Sequence, residues 1–381
     1  GQDSSFAGNS TAQGNQDGND IGDFYYAPPT GFLALCTSNL PEVAVTPSEH
    51  FNVVTYTGTG SSQAVTIGFQ PDFVWNRKTN DATNFYLQDA LRGFGASKSL
   101  SSNTTSIEGY DGSPSGQSLS VGSTAITVNG SDFNANTLNF VNWSWKANGS
   151  GSSNTNGSIT STVSANTDAG FSIVSYTGNG TNPATVGHGL SSAPEMIIIK
   201  KRDVASDWTT YHAGIASDAE TDFIELNSTG AASDDHERWN DTAPSNTVWT
   251  MQDRAEMNGS GGTFIAYCFH SVDGYSKVGS YTGNGNADGT FVYTGFRPRF
   301  ILTKPSSYAH NWTIIDTERD TYNPVENFLH PNLTNAEIDL PWIDIVSNGF
   351  KFRNTHVSIN GSYTYIYMAF AETPFKYSNA R

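Results

Sequence analysis

Charge is scarce in this chain. Lys, Arg, Asp and Glu together make up 14% of its 381 residues, well under the roughly 25% of an ordinary soluble domain. Cysteine is scarcer still, with Cys36 closing the apolar run Phe32-Leu33-Ala34-Leu35 and Cys268 between Tyr267 and Phe269. Two isolated thiols exclude a disulfide framework and a cysteine metal cluster, and both read as small buried hydrophobes. Long apolar runs are missing too. The longest aliphatic run, Met196-Ile197-Ile198-Ile199, is strand-sized, whereas a membrane helix needs about 20 apolar residues. Basic residues are outnumbered 19 to 36, a formal charge of −17, and form no stripe. Phosphate neutralisation dominates nucleic-acid affinity, so neither nucleic acid nor membrane insertion is expected. Nucleophile elbows, phosphate loops, His-x-x-x-His pairs and Cys-x-x-Cys pairs are all lacking. The chain opens at Gly1 without an initiator Met or an apolar leader, so a processed product or a fragment is expected.

What is present is aromatic, glycine-rich and hydroxyl-rich, and it repeats. Phe51-Asn52-Val53-Val54-Thr55-Tyr56-Thr57-Gly58-Thr59-Gly60 returns as Phe171-Ser172-Ile173-Val174-Ser175-Tyr176-Thr177-Gly178-Asn179-Gly180. A third copy reads Val278-Gly279-Ser280-Tyr281-Thr282-Gly283-Asn284-Gly285. Each is an alternating strand pattern followed by a glycine turn. A second landmark follows: Pro71-Asp72-Phe73-Val74-Trp75, Pro194-Glu195-Met196-Ile197-Ile198 and Pro298-Arg299-Phe300-Ile301-Leu302, closed by Arg77, Lys200 and Lys304. Continuous apolar runs of this length predict strands covered on both faces. Phe85, Trp208 and Trp312 each stand 14 residues after those prolines, and each follows an Asx side chain, Asn84, Asp207 or Asn311. Closing strands carry Val141, Trp143 and Trp145, then Ile265, Tyr267 and Phe269, then Ile366, Met368 and Phe370.

Four landmarks in one order, three times, predict an all-β protein of three tandem β-sandwich, jelly-roll-like domains after a short irregular segment. The boundaries expected are 1–48 for that segment, 49–147 for the first repeat, 148–170 for a flexible Gly/Ser/Asn linker, 171–272 for the second and 273–381 for the third. Tyr275 sits one residue further from its turn than Phe51 or Phe171, which predicts a β-bulge. Helical periodicity is confined to short stretches such as Leu87 to Arg92.

Candidate chemistry is thin. Asp234-Asp235-His236-Glu237 is the densest ionisable cluster, and Asp316, Glu318 and Asp320 alternate along one segment; a solvated loop and an Arg319-interrupted strand explain them better than catalysis. No catalytic residue, cofactor or metal is therefore expected. Asn15, Asp17, Asn19, Asp20 and Asp23 gather the oxygen ligands calcium favours, but without the glycine and closing glutamate of an EF-hand loop, so calcium at Asp17–Asp23 is left open. Recurring aromatics such as Tyr56, Tyr176 and Tyr281 read as packing. Three outside the landmarks, Tyr110, Trp239 and Tyr308, stand beside amides, carboxylates or histidine and are the candidate glycan contacts.

Tyr176-Thr177-Gly178-Asn179-Gly180, Ile265-Ala266-Tyr267-Cys268-Phe269-His270-Ser271-Val272 and Gly274-Tyr275-Ser276-Lys277-Val278 resemble virion structural proteins of marine tailed bacteriophages, as does the chain end Phe370–Arg381. The stretch Pro28–Glu42 is similar to the piece that follows a SPRY-type, concanavalin-like sandwich in that family. The resemblance implies a tail-fibre or other virion-surface component, a homo-oligomer, with a trimer expected, that contacts other virion proteins and host surface glycan. A capsid-decorating protein is the alternative from the same particle. A secreted bacterial adhesin or carbohydrate-binding module is the alternative from another class, and a glycan depolymerase using Asp316 and Asp320 is the enzymatic one.

Overall fold

The computed structural model describes residues 13–39, 44–109 and 118–374. Its secondary structure is almost entirely antiparallel strand. In the first repeat these are β1 (Phe51–Thr57), β2 (Gln63–Thr66), β3 (Phe73–Lys78), β4 (Tyr86–Asp89), β5 (Leu100–Ser101), β6 (Ser118–Val121), β7 (Ala125–Asn129) and β8 (Asn139–Trp145). The second contains β9 (Ser152–Asn154), β10 (Ser161–Asn166), β11 (Phe171–Thr177), β12 (Ala184–Gly187), β13 (Met196–Lys201), β14 (Trp208–His212), β15 (Asp222–Glu225), β16 (Ser233–Asp234), β17 (Val248–Met251) and β18 (Thr263–Phe269). The third contains β19 (Ser276–Thr282), β20 (Phe291–Tyr293), β21 (Phe296–Pro305), β22 (Thr313–Asp316), β23 (Val325–Leu329), β24 (Ile338–Val346), β25 (Gly349–Phe352) and β26 (Thr364–Pro374).

Strand order is the same three times. The inner sheets run β1-β8-β3-β4-β5, β11-β18-β13-β14-β15 and β19-β26-β21-β22-β23. In each, the closing strand of the repeat is inserted between its first and second. Beyond each inner sheet lies a further antiparallel pair, β2 with β7, β12 with β17, and β20 with β25, the last continuous with its inner sheet through β24. Module 1 therefore has a sandwich core of its own, where Val74 and Tyr86 meet Leu119, Ile126, Val128 and Phe133. Module 3 has another around Phe296, Ile301, Trp342, Phe350 and Tyr365.

The recurring Tyr-Thr-Gly-x-Gly phrase is a clamp. Tyr56, Tyr176 and Tyr281 donate their phenol O–H to the carbonyls of Phe133, Met257 and Ile359. Each ring stacks on a closing-strand aromatic, Phe140, Phe264 or Tyr365, with planes within 12° of parallel. Asn134, Asn258 and Asn360 accept from the backbone N–H of Thr59, Asn179 and Asn284. The clamp closes so tightly that a Cβ on Gly58, Gly178 or Gly283 would lie 1.9, 2.5 or 2.1 Å from a facing carbonyl oxygen. Only glycine fits.

The other face of each inner sheet is buried against its sisters. One cross-strand row per sheet points to a common centre: Phe51, Trp145 and Phe73; Phe171, Phe269 and Met196; Ser276, Phe370 and Phe300. These rows meet. Phe51 lies 4.9 Å from Phe370 and Phe73 lies 4.3 Å from Tyr267, ring centre to ring centre. Phe269 also touches Phe370 at 6.1 Å. Aromatic pairs at such distances add about 0.5–1.5 kcal/mol each beyond their area. The three modules therefore surround one core instead of standing in line.

Three local expectations change. The Gly/Ser segment expected as a flexible linker contains β9 and β10, and β10 pairs with β11 from Ser161 opposite Tyr176 to Asn166 opposite Phe171. Hydroxyl side chains suit a solvated sheet edge as well as they suit a linker. The expected bulge is absent from β19, whose seven residues pair with β26 in unbroken register. Ser276 takes the place of Phe51 and Phe171, and the buried Tyr275 ring packs edge-on against Phe370 at 5.6 Å. The register shifts fall instead in β21, at Arg297 and Pro298. Leu87 to Arg92 is the end of β4 and a turn, since Leu87 pairs with Trp75. Of the cysteines, Cys268 is buried and Cys36 is half-buried.

Candidate functional site

The chemistry-bearing side chains collect at the three junctions where one module meets the next. Each junction is built the same way. After the fourth inner strand of one module the chain turns past the second inner strand of its neighbour. Three backbone bonds mark this: Glu108 N–H to Arg202 O, Ala232 N–H to Ser306 O, and Glu337 N–H to Thr79 O, at 2.9, 2.8 and 2.7 Å. The third returns from module 3 to module 1, so the set closes into a ring. A head-to-tail contact repeated with the right rotation closes in this way, here within one polypeptide.

The basic residues that end the second landmark now have a purpose. Lys200 donates to Thr105 O at 2.9 Å, Lys304 to Thr229 O at 3.4 Å, and Arg77 to Thr334 O at 3.4 Å. Each cation caps a carbonyl of the neighbouring module. Burial pushes the Lys304 ammonium down to about 7 and the Arg77 guanidinium down to about 9. The third-landmark indoles do likewise. Trp208 Nε1 donates to Ser101 O and Trp312 Nε1 to Glu225 O, both at 2.9 Å. Phe85, the module 1 equivalent, has no such donor. The preceding Asx side chains are bonded by Asn103, Asn227 and Asn332, whose side-chain oxygens also accept from the backbone N–H of Phe85, Trp208 and Trp312.

Beneath these bonds the junctions differ. Between modules 1 and 2, Asp89 and Arg92 form an ion pair at 2.5 Å with both side chains fully buried, and Tyr267 of module 2 donates to Asp89 at 2.8 Å. Between modules 3 and 1, Asp316 and Arg319 pair at 2.7 Å, and Trp143 Nε1 of module 1 donates to Asp316 at 3.1 Å. Between modules 2 and 3 the equivalents of Asp and Arg are His212 and Ile215. Gly214 N–H donates to His212 Nδ1, which leaves Nε2 to carry the proton donated to Tyr367 O at 3.1 Å. Desolvation outweighs that bond and lowers the imidazole to about 4.

Grooves lie along two of these junctions, at equivalent places. The one between modules 3 and 1 encloses 380 Å³ and is bordered by Thr55, Thr79, Asn139, Arg319 and Glu337. The one between modules 2 and 3 encloses 660 Å³ and is bordered by Ile215, Ala232, Ser280, Ser306 and Thr364. Their linings correspond in part: Ile215 and Arg319 each stand three residues after the strand positions His212 and Asp316, and Ala232 and Glu337 make the equivalent backbone bonds to Ser306 and Thr79.

The sequence candidates fall as follows. Trp239 is 1% exposed, donates Nε1 to Asp222 O and meets Tyr211 edge-on, so it offers no face to a glycan. Tyr308 is 39% exposed and stacks on Tyr363 at 4.3 Å. Tyr110 lies outside the described residues. Asp316 is consumed by Arg319 and Trp143, and Asp320 accepts from the backbone of Glu326 and Asn327. They do not form a carboxylate pair facing a groove. Asp235 caps a short helix, α1 (His236–Trp239), and with Glu237 binds Arg254 at 2.7 and 3.0 Å. In the N-terminal segment both oxygens of Asp17 are taken: Oδ1 accepts from the N–H of Asn19 and Ile21, Oδ2 from Ala34 N–H and Asn39 Nδ2. Desolvation raises that carboxyl, the four donors outweigh it, and it sits at about 2. Those donors occupy the lone pairs a calcium ion would need. Among the described residues no group of three His, Cys, Asp or Glu side chains is placed to hold a metal, and no helix is long and apolar enough to cross a membrane.

The residues that sequence reasoning missed are Arg92, Glu108, Ile215 and Ala232. Their signal is a difference among the copies at positions between the landmarks, where loop lengths vary. Compared with known families, residues 46–374 match a family described as a domain of unknown function, DUF7483. The chain belongs to this family. The match spans all three modules and the segment between the first two. No curated protein matches the chain.

Proposed function

We propose that this chain is a structural and contact component of a virion surface, a tail-fibre-like or outward-projecting piece, and that it catalyses no reaction. The observation that carries the structural half is the use of its buried ionisable groups. Asp89, Asp316, Lys200 and Lys304 bond across from one module to the next, and Arg92 and Arg319 hold the two aspartates in place. The virion half is supported by the resemblance of the Tyr-Thr-Gly-Asn-Gly phrase and the closing strands to marine phage structural proteins. The geometry alters how such a piece works. Three modules wrapped around one core make a compact head, not a length of shaft, and an outer layer of Ser, Thr and Asn faces the medium. The charge of −17 keeps crowded copies apart. Homo-oligomerisation, as a trimer, belongs to the proposal, although sister modules already cover the inner sheet faces that a trimer would otherwise bury.

Immunogold microscopy of purified particles tests the reading. Label on fibres or projections is the expected result, and label spread evenly over the capsid shell would make the chain a decoration protein. Recovery only as free protein in the culture fluid, with none on particles, would replace the reading with a secreted adhesin.

A further inference from the structure

We propose that the groove between modules 2 and 3 is a binding site for a neutral, hydroxyl-rich saccharide, with Tyr308 and Tyr363 as its aromatic wall. This deepens the surface-contact reading by naming the site and the ligand class. The first argument is the comparison of junctions. Between modules 1 and 2, Arg92 and Glu108 approach to 3.7 Å, and Glu108 also holds Arg202 at 2.6 Å. Between modules 3 and 1, Arg319 and Glu337 form the matching ion pair. Where Ile215 and Ala232 replace these long charged side chains, the space they would fill is open, and the enclosed volume is 660 Å³ against 380 Å³. That is within the range of small-ligand sites, roughly 300–1,000 Å³.

The second argument is chemistry. Among the described residues no charged side chain borders this groove, so an ionic ligand would lose its hydration without a partner. Hydroxyls border it instead: Ser280, Ser306, Ser307 and Thr364. Each is both donor and acceptor, which matches a ligand whose own groups are hydroxyls. The methyls of Ala213 and Ala232 give the intervening surface an apolar character.

Thr364 N–H donates to Ser307 Oγ at 2.9 Å, tying together two segments on the module 3 side of the groove. Next in the chain to these two residues stand Tyr308 and Tyr363, at the margin of the groove, stacked 4.3 Å apart with planes 17° from parallel. A preformed aromatic pair that remains 39% exposed at Tyr308 has already lost the side-chain freedom a stacking platform must give up. A tyrosine at such a site meets the apolar face of a sugar ring while hydroxyls read its edge.

Saturation-transfer NMR with maltotriose, cellotriose and mannotriose, and with a uronate trisaccharide as the charged contrast, tests this. The intact chain is expected to bind at least one neutral trisaccharide, and Tyr308→Ala to weaken it at least tenfold. The double variant Ile215→Arg/Ala232→Glu rebuilds the sister ion pair in the groove; it should fold and abolish binding. If it does not fold, Tyr308→Ala decides alone, because that side chain is at the surface. Absence of binding to all neutral probes, binding of the uronate only, or binding unchanged in Tyr308→Ala would overturn the proposal. None of these outcomes bears on where the chain sits on a particle, so the site and the virion reading fail separately.

Discussion

Two junctions of this ring bury an Asp–Arg pair, and the third buries a neutral histidine beside an isoleucine. The backbone bonds that cross all three are nearly the same length, so the ion pairs do not set the geometry. Backbone hydrogen bonds and the central aromatic rows set it, and the charged pair is one of two ways of filling the space beneath. This agrees with the general finding that a buried ion pair is hard to break by halves and easy to replace whole.

The comparison breaks most visibly when one partner is removed. Asp89→Ala leaves Arg92 buried without its carboxylate, and chemical denaturation should show a loss of about 3–5 kcal/mol. Acid gives the next largest effect, at the junction without an ion pair. Burial lowers the His212 pKa to about 4 from 6.5, so the unfolded chain binds more protons than the folded one between those values. Its contribution is complete above pH 6.5 and is lost as pH falls toward 4, about 3 kcal/mol by linkage. Urea titrations at pH 7 and pH 4.5 should reveal most of that difference, and His212→Gln should remove its share while leaving that of His330, which burial also lowers to about 4. Trp312→Phe copies Phe85 and removes the indole bond to Glu225 O, which should cost about 1 kcal/mol in the same assay. The triple change Asp89→His/Arg92→Ile/Glu108→Ala turns the junction between modules 1 and 2 into the one between modules 2 and 3 and should shift stability by no more than about 2 kcal/mol, in either direction. A loss as large as that of Asp89→Ala would mean that the junctions are not interchangeable.

Most of the strands were legible in the sequence because their patterns repeat. Phe73-Val74-Trp75 and its counterparts read as strands covered on both faces, and they are: Val74 meets its own hairpin layer while Phe73 and Trp75 face the common core. What covers the second face was not legible, since an apolar side chain carries no record of whether its partner is in the same module or the next. The Asx residues before Phe85, Trp208 and Trp312 were visible as a pattern, but their partners Asn103, Asn227 and Asn332 lie 19, 20 and 21 residues on, at spacings that drift. Ser152 to Asn166 looked like a linker because an exposed edge strand and a flexible segment have the same hydroxyl-rich composition. Trp239 looked available because the residues around it are polar, yet the turn that carries it folds the indole inward onto Tyr211. The groove beside Tyr308 needed the strand register before Ile215 and Ala232 could be compared with Arg319 and Glu337.

Differential scanning calorimetry of the intact chain tests the shared core most directly. A ring closed around Phe51, Phe171, Phe269, Phe300 and Phe370 should melt in one transition with calorimetric and van't Hoff enthalpies in agreement, and Asp89→Ala should move that whole transition. Two or three resolved transitions, with Asp89→Ala shifting only one of them, would show that the modules are independent domains and contradict the account.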